Sequence, residues 1–313
     1  MSKLIRHNHS ADGIDRRGFL ECMAWAGTGV IWTVSGGILS STTVSGKTIA
    51  PGGLHFVQIS DSHIGFNKPA NPDVNGTLQA AVDQINSLPV EPEFLIHTGD
   101  LTHMARANEF DTMDQILQGL KQKQIFTVPG EHDTASDDGK LYRERYGKNT
   151  KGDGWYSFDH KGIHFVGLVN VVKLEGLGKL GAAQLAWLAD DLKARTSSTP
   201  IVLFAHIPLW TVSADWGWGT SDAEQALALL RRFSSVTVLN GHIHQVMQKI
   251  EGNVAFHTAM STAFPQPKPG SAPAPGPMKV PDDRLRKLLG ISEVHSVSTR
   301  SPLAVIDSPL VKE

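Results

Sequence analysis

Five short apolar runs in this chain each lead into histidine or carboxylate side chains, and that recurrence constrains the fold more than any other feature. Leu54-His55-Phe56-Val57-Gln58-Ile59 runs into Asp61-Ser62-His63, and Phe94-Leu95-Ile96-His97 into Gly99-Asp100-Leu101-Thr102-His103. Gln124-Ile125-Phe126-Thr127-Val128 passes through the turn Pro129-Gly130 to Glu131-His132-Asp133. Ile201-Val202-Leu203-Phe204-Ala205 ends at His206, and Val236-Thr237-Val238-Leu239 at Asn240-Gly241-His242-Ile243-His244. Short apolar runs bounded by turn residues read as buried strands, and an open α/β sheet keeps its chemistry at strand ends. Each cluster alone has a plain structural reading as a cap, a turn or a satisfied core histidine. Together, neutral imidazole and carboxylate form the ligand set of a hydrolytic metal site. Residues two apart in extended backbone point the same way, so Asp61 and His63 are expected to reach one ion.

The segments between these runs have helical spacing. Leu78, Ala81, Val82 and Ile85 mark one helix over 75–88, and Phe110, Met113, Ile116 and Leu117 another over 108–120. Strand–helix alternation implies βαβ units. Further on, 154–158 and 163–169 read as a hairpin, as do the strands around Gly252-Asn253. A helix is expected over 181–194 with Leu185, Leu188 and Leu192 inward. Another is expected over 221–233, capped by Ser221 with Glu224 three residues on. Residues 264–281 are dense in Pro, Gly, Ala and Ser and read as an extended loop that buries little. Leu303-Ala304-Val305-Ile306 reads as a last strand.

The formal charge of −2 over 313 residues argues against a general nucleic-acid binder. The length suffices for one large domain with a proper core. Asp15-Arg16-Arg17-Gly18-Phe19-Leu20 precedes an uncharged stretch over 22–46, the pattern of an export signal with Val44-Ser45-Gly46 as a cleavage site. A membrane anchor, or a surface arginine pair before a first core helix, are the other readings. Cys22 is the only cysteine and lies inside this segment, so the mature chain is expected to carry no disulfide. The expected organisation is an export segment over 1–46, a catalytic domain over 47–263, a loop over 264–281 and an extension over 282–313 that returns to the domain.

In this order the clusters resemble the motifs of the calcineurin-like metallophosphoesterases: Asp-x-His, Gly-Asp, Gly-Asn-His-Asp/Glu, a lone His, and Gly-His-x-His. The resemblance implies an α/β fold, a four-layer αββα sandwich of two mixed sheets with a dinuclear metal site at the strand ends. Asp61, His63 and His244 would hold one ion, Asp100 would bridge, and Glu131, His206 and His242 would hold the second. His132 would face the substrate, oriented by Asp133. The ions would be Fe, Mn or Zn. A metal-bridging hydroxide would attack phosphorus in a diester or small monoester. A cyclic-nucleotide phosphodiesterase, and an inactive metal- or partner-binding protein, are the alternatives.

The departure is Glu131, a carboxylate where the family has asparagine, which keeps the inactive reading open. His103 stands where many relatives have Asp or Asn, with a substrate-binding or a surface role. Leu101-Thr102-His103-Met104 lacks the Asp-Arg-Gly of protein Ser/Thr phosphatases, which disfavours that branch. Trp210, Trp216 and Trp218 form either a wall beside the site or a packed loop. Arg-Arg-x-Phe-Leu resembles a twin-arginine signal, implying export of the folded protein by that machinery to the periplasm or beyond, or anchoring at the N-terminus.

Overall fold

The computed structural model describes residues 30–35, 38–43, 53–172, 176–296 and 303–310. Within the expected export segment, β1 (Val30–Ser35) and β2 (Ile38–Thr43) pair antiparallel in a two-stranded sheet of their own. Arg16, Arg17, Cys22 and the 44–46 cleavage motif lie outside the described residues.

The first large sheet takes β3 (His55–Ile59), β4 (Leu95–His97) and β5 (Ile125–Thr127) as parallel neighbours. The second holds β6 (Tyr156–His160), β7 (Ile163–Gly167), β8 (Ile201–Phe204), β9 (Val236–Asn240), β10 (Met247–Glu251) and β11 (Val254–Thr258) in the order β10-β11-β9-β8-β7-β6. Its inner strands β7, β8, β9 and β11 are parallel, and its edge strands are antiparallel. Two C-terminal strands complete the first sheet. β12 (Gly290–Ser296) lies antiparallel to β3, and β13 (Leu303–Pro309) lies outside it. The Leu303–Ile306 run is therefore the outer member of a pair.

Side chains alternate across each strand. Phe56, Phe94, Phe165, Val202, Phe204, Leu239 and Val294 interdigitate between the sheets. Val57, Ile59 and Leu95 face the other way, onto α1 (Val74–Asn86) and α2 (Ala107–Leu117) through Leu78, Val82, Phe110 and Met113. Val166, Leu203 and Val238 meet α5 (Ala182–Lys193) and α6 (Ala223–Leu230) through Leu188, Leu192, Ala226 and Leu230. Three apolar layers between four layers of elements make the αββα sandwich. At the sheet edges Phe126 of β5 stacks on Phe158 of β6 with centroids 3.8 Å apart, which joins the two sheets there. Two short helices, α3 (Glu131–Thr134) and α4 (Lys140–Tyr146), follow β5, and α7 (Asp282–Leu288) precedes β12.

Several local expectations are corrected. Ser221 does not cap α6, because its hydroxyl donates to the Gly178 carbonyl and the helix starts only at Ala223. Asp222 instead accepts from the Leu180 and Gly181 amides, tying the start of α5 to that of α6. On α5 the buried side chains are Gln184, Leu188 and Leu192, with Leu185 half-buried. The Gln184 amide satisfies both the N–H and the carbonyl of Val169.

Candidate metal centre

The parallel strands of both sheets end at one edge, and the clusters that follow them converge there. The convergence depends on unusual backbone. Asp61, His63, Asp100, His242 and His244 have φ of 56°, 42°, 53°, 70° and 54°. Left-handed φ in non-glycine residues costs about 1–3 kcal/mol each and persists only where surrounding structure holds it. Asp61 and His63 therefore do not share a direction through extended backbone. A left-handed turn aims both inward. The turn is held by Asp61 N–H to Gly99 O at 3.0 Å and His63 N–H to Asp100 O at 2.9 Å. Two motif glycines are required for the close approach. A Cβ on Gly130 would lie 2.0 Å from Asp100 Oδ1, and one on Gly241 would lie 2.0 Å from Ser60 Oγ and 2.6 Å from Asp61 Oδ2.

Two adjacent ligand groups result, with Asp100 reaching both. In the first, His244 Nε2 lies 3.2 Å from Asp61 Oδ1 and 3.2 Å from His63 Nε2, and His63 Nε2 lies 3.4 Å from Asp100 Oδ2. In the second, Glu131 reaches His206 Nε2 at 2.8 Å and His242 Nδ1 at 2.9 Å, and His206 Nε2 lies 3.4 Å from Asp100 Oδ2. Asp61–His63–His244 and Glu131–His206–His242 each bring their ligand atoms within 4.8 Å of one another.

The chemistry of these donors fits cations. His206 Nδ1 donates to Thr98 O at 2.7 Å and His244 Nδ1 to Phe264 O at 2.5 Å. With those protons fixed, each ring has only Nε2 left to face the carboxylate oxygens, as a lone pair toward a cation or as an N–H toward the carboxylate. Such a backbone-held second nitrogen is the usual support of a metal-ligating histidine. His206 Nε2, both ring nitrogens of His242 and Glu131 Oε2 are buried without a hydrogen bond of acceptable geometry, despite the 2.8 Å approach. Burial lowers the His206 pKa, but Asp100 and Glu131 outweigh it and raise it well above the ordinary value. A proton and a metal ion compete for that nitrogen. Burial pushes Asp61 up, but His244 and then His206 prevail and hold it at about 2.

Glu131, His132 and Asp133 do not sit at an extended strand tip. They form one turn of helix after Gly130, with Glu131 turned toward His206 and His242. Asp133 does not orient His132. Its buried carboxylate accepts from the Gly130, Leu101 and Thr102 amides and from the Thr102 hydroxyl at 2.8–3.0 Å, so it clamps the Asp100 loop to the Glu131 turn. His132 is oriented by backbone instead: Nδ1 donates to the His103 carbonyl at 2.7 Å, and its amide donates to Asp100 Oδ1 at 2.9 Å. The His103 ring stacks on that of His132 with centroids 4.7 Å apart.

The 264–281 stretch, expected to bury little, builds part of the site. Phe264 is 3% exposed and stacks on His63 at 4.8 Å while its carbonyl holds His244. Gln266 donates to the His242 carbonyl at 2.9 Å and accepts from Gly276 N–H at 3.0 Å. The strap so formed roofs a cavity of about 320 Å³ over the ligand groups, lined also by Phe66, Lys68, Trp216 and Trp218. Phe264 and Gln266 were missed because nothing in a Pro/Gly-rich segment marks one aromatic ring as inward. Trp216 and Trp218 form a wall at 4.9 Å from each other, whereas Trp210 packs on Phe256.

An αββα sandwich with two clusters of histidine and carboxylate donors at its strand ends defines the class of metal-dependent hydrolases. Residues 54–246 match the model of the calcineurin-like phosphoesterases, and the chain belongs to that family. A protein of Arcobacter nitrofigilis named "Probable glycerophosphodiester phosphodiesterase GpdQ" is 25% identical over 66% of this chain and 77% of its own length. The 3′,5′-cyclic adenosine monophosphate phosphodiesterase CpdA of Vibrio vulnificus is 25% identical over 72% of this chain and 82% of its own length. Among solved structures, a dimetal phosphatase of Danio rerio superposes with a TM-score of 0.57 at 16% identity, over 81% of this chain and 98% of that one, a likeness of fold. The protein is a metallophosphoesterase.

Proposed function

We propose that the protein hydrolyses phosphodiesters or small phosphomonoesters with two metal ions. Asp61, His63 and His244 would hold one ion and Glu131, His206 and His242 the other, with Asp100 in reach of both groups. The observation that carries this reading is the convergence of backbone-fixed imidazoles and three carboxylates on two positions that share Asp100. Ions bound there supply Lewis acidity and lower the pKa of water from 15.7 to about 7. Three carboxylates supply three negative charges, which favours a trivalent ion beside a divalent one, with Fe, Mn and Zn as the candidates. Glu131 turned onto His206 and His242 puts its carboxylate where a ligand of the second ion would stand.

The chain's own residues do the rest. The strap and the aromatic side chains Phe66, Trp216, Trp218 and Phe264 line the cavity of about 320 Å³ in which an ester would sit. His132 lines the cavity and is held at Nδ1 by the His103 carbonyl, which leaves Nε2 free for a ligand. Burial lowers its pKa, but Asp100 and Glu131 outweigh burial and raise it, the direction a general acid for the leaving oxygen requires. The half-exposed Trp216 at the rim, able to stack on a base, together with the name of the Vibrio relative, favours a cyclic nucleotide as the second reading. The test is a panel of bis(4-nitrophenyl) phosphate, 4-nitrophenyl phosphate and cyclic AMP with purified protein of measured metal content. Diester turnover that scales with metal supports the first reading, cyclic AMP as the best substrate supports the second, and no turnover of any by loaded protein contradicts both.

The arginine pair and uncharged stretch support an export role for residues 1–46, through the twin-arginine route to the periplasm or as an anchor. Replacing Arg16-Arg17 with lysines should retain the protein in the cytoplasm. Unchanged location would refute that role.

A further inference from the structure

His103 is the candidate residue whose place in the site the ligand assignments leave unexplained. Its ring lies between two others: it stacks nearly parallel on His132, with an interplanar angle of 19°, and stands edge-on to His63 with centroids 5.5 Å apart. Its Nδ1 is 3.5 Å from His63 Nδ1, a long contact between two ring nitrogens of which one must donate. Phe66 packs edge-on against it at 5.2 Å and fixes the ring plane. The residue lines the cavity beside Asp100, Glu131 and His132. Among the described residues no protein acceptor meets its Nε2, and that atom is not enclosed.

The proton positions follow from the ligand geometry. This step rests on the two-ion reading. His63 presents Nε2 to the Asp61–His244 group, so when that nitrogen binds an ion its proton resides on Nδ1. The His63 Nδ1–H then has one neighbour to donate to, His103 Nδ1. Once His103 accepts at Nδ1, its own proton is confined to Nε2, an atom with no protein acceptor on a residue that lines the cavity. The backbone carbonyl of the same residue accepts from His132 Nδ1. One residue thus sets the orientation of a metal ligand and of the candidate acid.

We propose that His103 is a positioning residue for His63 and, through Nε2–H, a neutral donor to a non-bridging oxygen of the bound phosphoryl group. A donor there recognises any phosphate ester without discriminating between leaving groups, so it acts on substrate affinity more than on the leaving-group step. Every substitution at 103 keeps the backbone carbonyl that holds His132, and the two side-chain roles are therefore separable.

The test compares His103→Ala, His103→Asn and His103→Gln in the full chain as purified. Metal retention against a chelator series is measured by elemental analysis, and KM and kcat are measured on bis(4-nitrophenyl) phosphate. Loss of a partner to a ligating histidine weakens metal binding by about 10–100-fold, and loss of one donor to a charged oxygen raises KM on the order of tenfold. His103→Ala is expected to show both losses. In His103→Asn the amide oxygen stands near the place of Nδ1 and restores retention but not KM. In His103→Gln the amide nitrogen stands near the place of Nε2 and restores KM but not retention. Three variants that behave alike, whether all intact or all impaired, overturn the inference while loaded, active wild type leaves the two-ion reading standing. Wild type that retains no ions overturns the two-ion reading and this inference with it.

Discussion

Replacing Phe264 with alanine should weaken the metal centre from outside the ligand set. The ring is almost fully buried and touches His63 at 4.8 Å, His244 at 4.8 Å and Phe66 at 4.4 Å between centroids. Truncating a buried phenylalanine costs about 3–5 kcal/mol, and each kcal/mol moves the midpoint of a domain this size by about 2–4 °C. A drop of about 6–20 °C is expected. The Phe264 carbonyl still accepts from His244 in the variant, so the effect isolates the packing of the ring. Ions stabilise the native state in proportion to RT ln(1 + [L]/Kd), so a 100-fold weaker ion forfeits about 2.7 kcal/mol of that stabilisation when the ion is in excess. Thermal unfolding with and without added Mn²⁺ reads both terms, and Phe264→Leu should recover most of each. A midpoint within about 2 °C of wild type, with full metal content, would refute the argument that the strap is part of the centre.

The other predictions concern the site and the acid limb. Glu131→Asn should loosen the second ion and lower the pH optimum, because a neutral ligand leaves that ion a stronger Lewis acid, while Glu131→Ala should nearly empty the position. Elemental analysis showing two tightly held ions in both variants contradicts this. His132→Ala should lower kcat about 10²–10⁴-fold with metal retained, and unchanged kcat would remove it from the mechanism. Burial raises the Asp191 pKa, but its hydrogen bonds from His164 and Ser157 prevail and hold it below the ordinary carboxylate value. Burial likewise opposes the lowering of Glu93, whose bonds from Lys161, His160 and the His55 amide win. Groups depressed in the folded state stabilise above the unfolded carboxylate pKa, and that contribution is lost as pH falls through the folded values. The midpoint should therefore fall below about pH 4. In Asp191→Asn it should be lower at pH 7 and fall less on acidification. Equal acid losses in variant and wild type contradict the assignment.

The apolar runs announced the strands because β3, β4, β8 and β9 are buried on both faces and needed no alternation to be seen. β12 escaped because Gly290-Ile291-Ser292-Glu293-Val294-His295-Ser296 is mostly polar, yet it is internal to its sheet, with Ser292 paired to Asp307. That these histidines and carboxylates would gather in one place was legible from residue type and order, and the family resemblance divided them into two groups. Their aim was not, since left-handed φ at Asp61, His63, Asp100, His242 and His244 is imposed by contacts between loops far apart in sequence. The roles of Asp133 and His103 were hidden for the same reason. A carboxylate beside a histidine reads as its partner, but Asp133 meets amides of a loop some thirty positions earlier, and the carbonyl that holds His132 carries no side-chain signature.

The direct test of the two-ion centre is metal stoichiometry in wild type and Asp100→Asn, read beside diester hydrolysis of the same samples. Asp100 reaches both ligand groups, at 3.4 Å from His63 Nε2 and 3.4 Å from His206 Nε2. Two ions per chain are expected in wild type, with loss of metal and of hydrolysis together in the variant. Two ions and full hydrolysis retained in Asp100→Asn, or a wild type that hydrolyses phosphodiesters without metal, would contradict the two-ion centre.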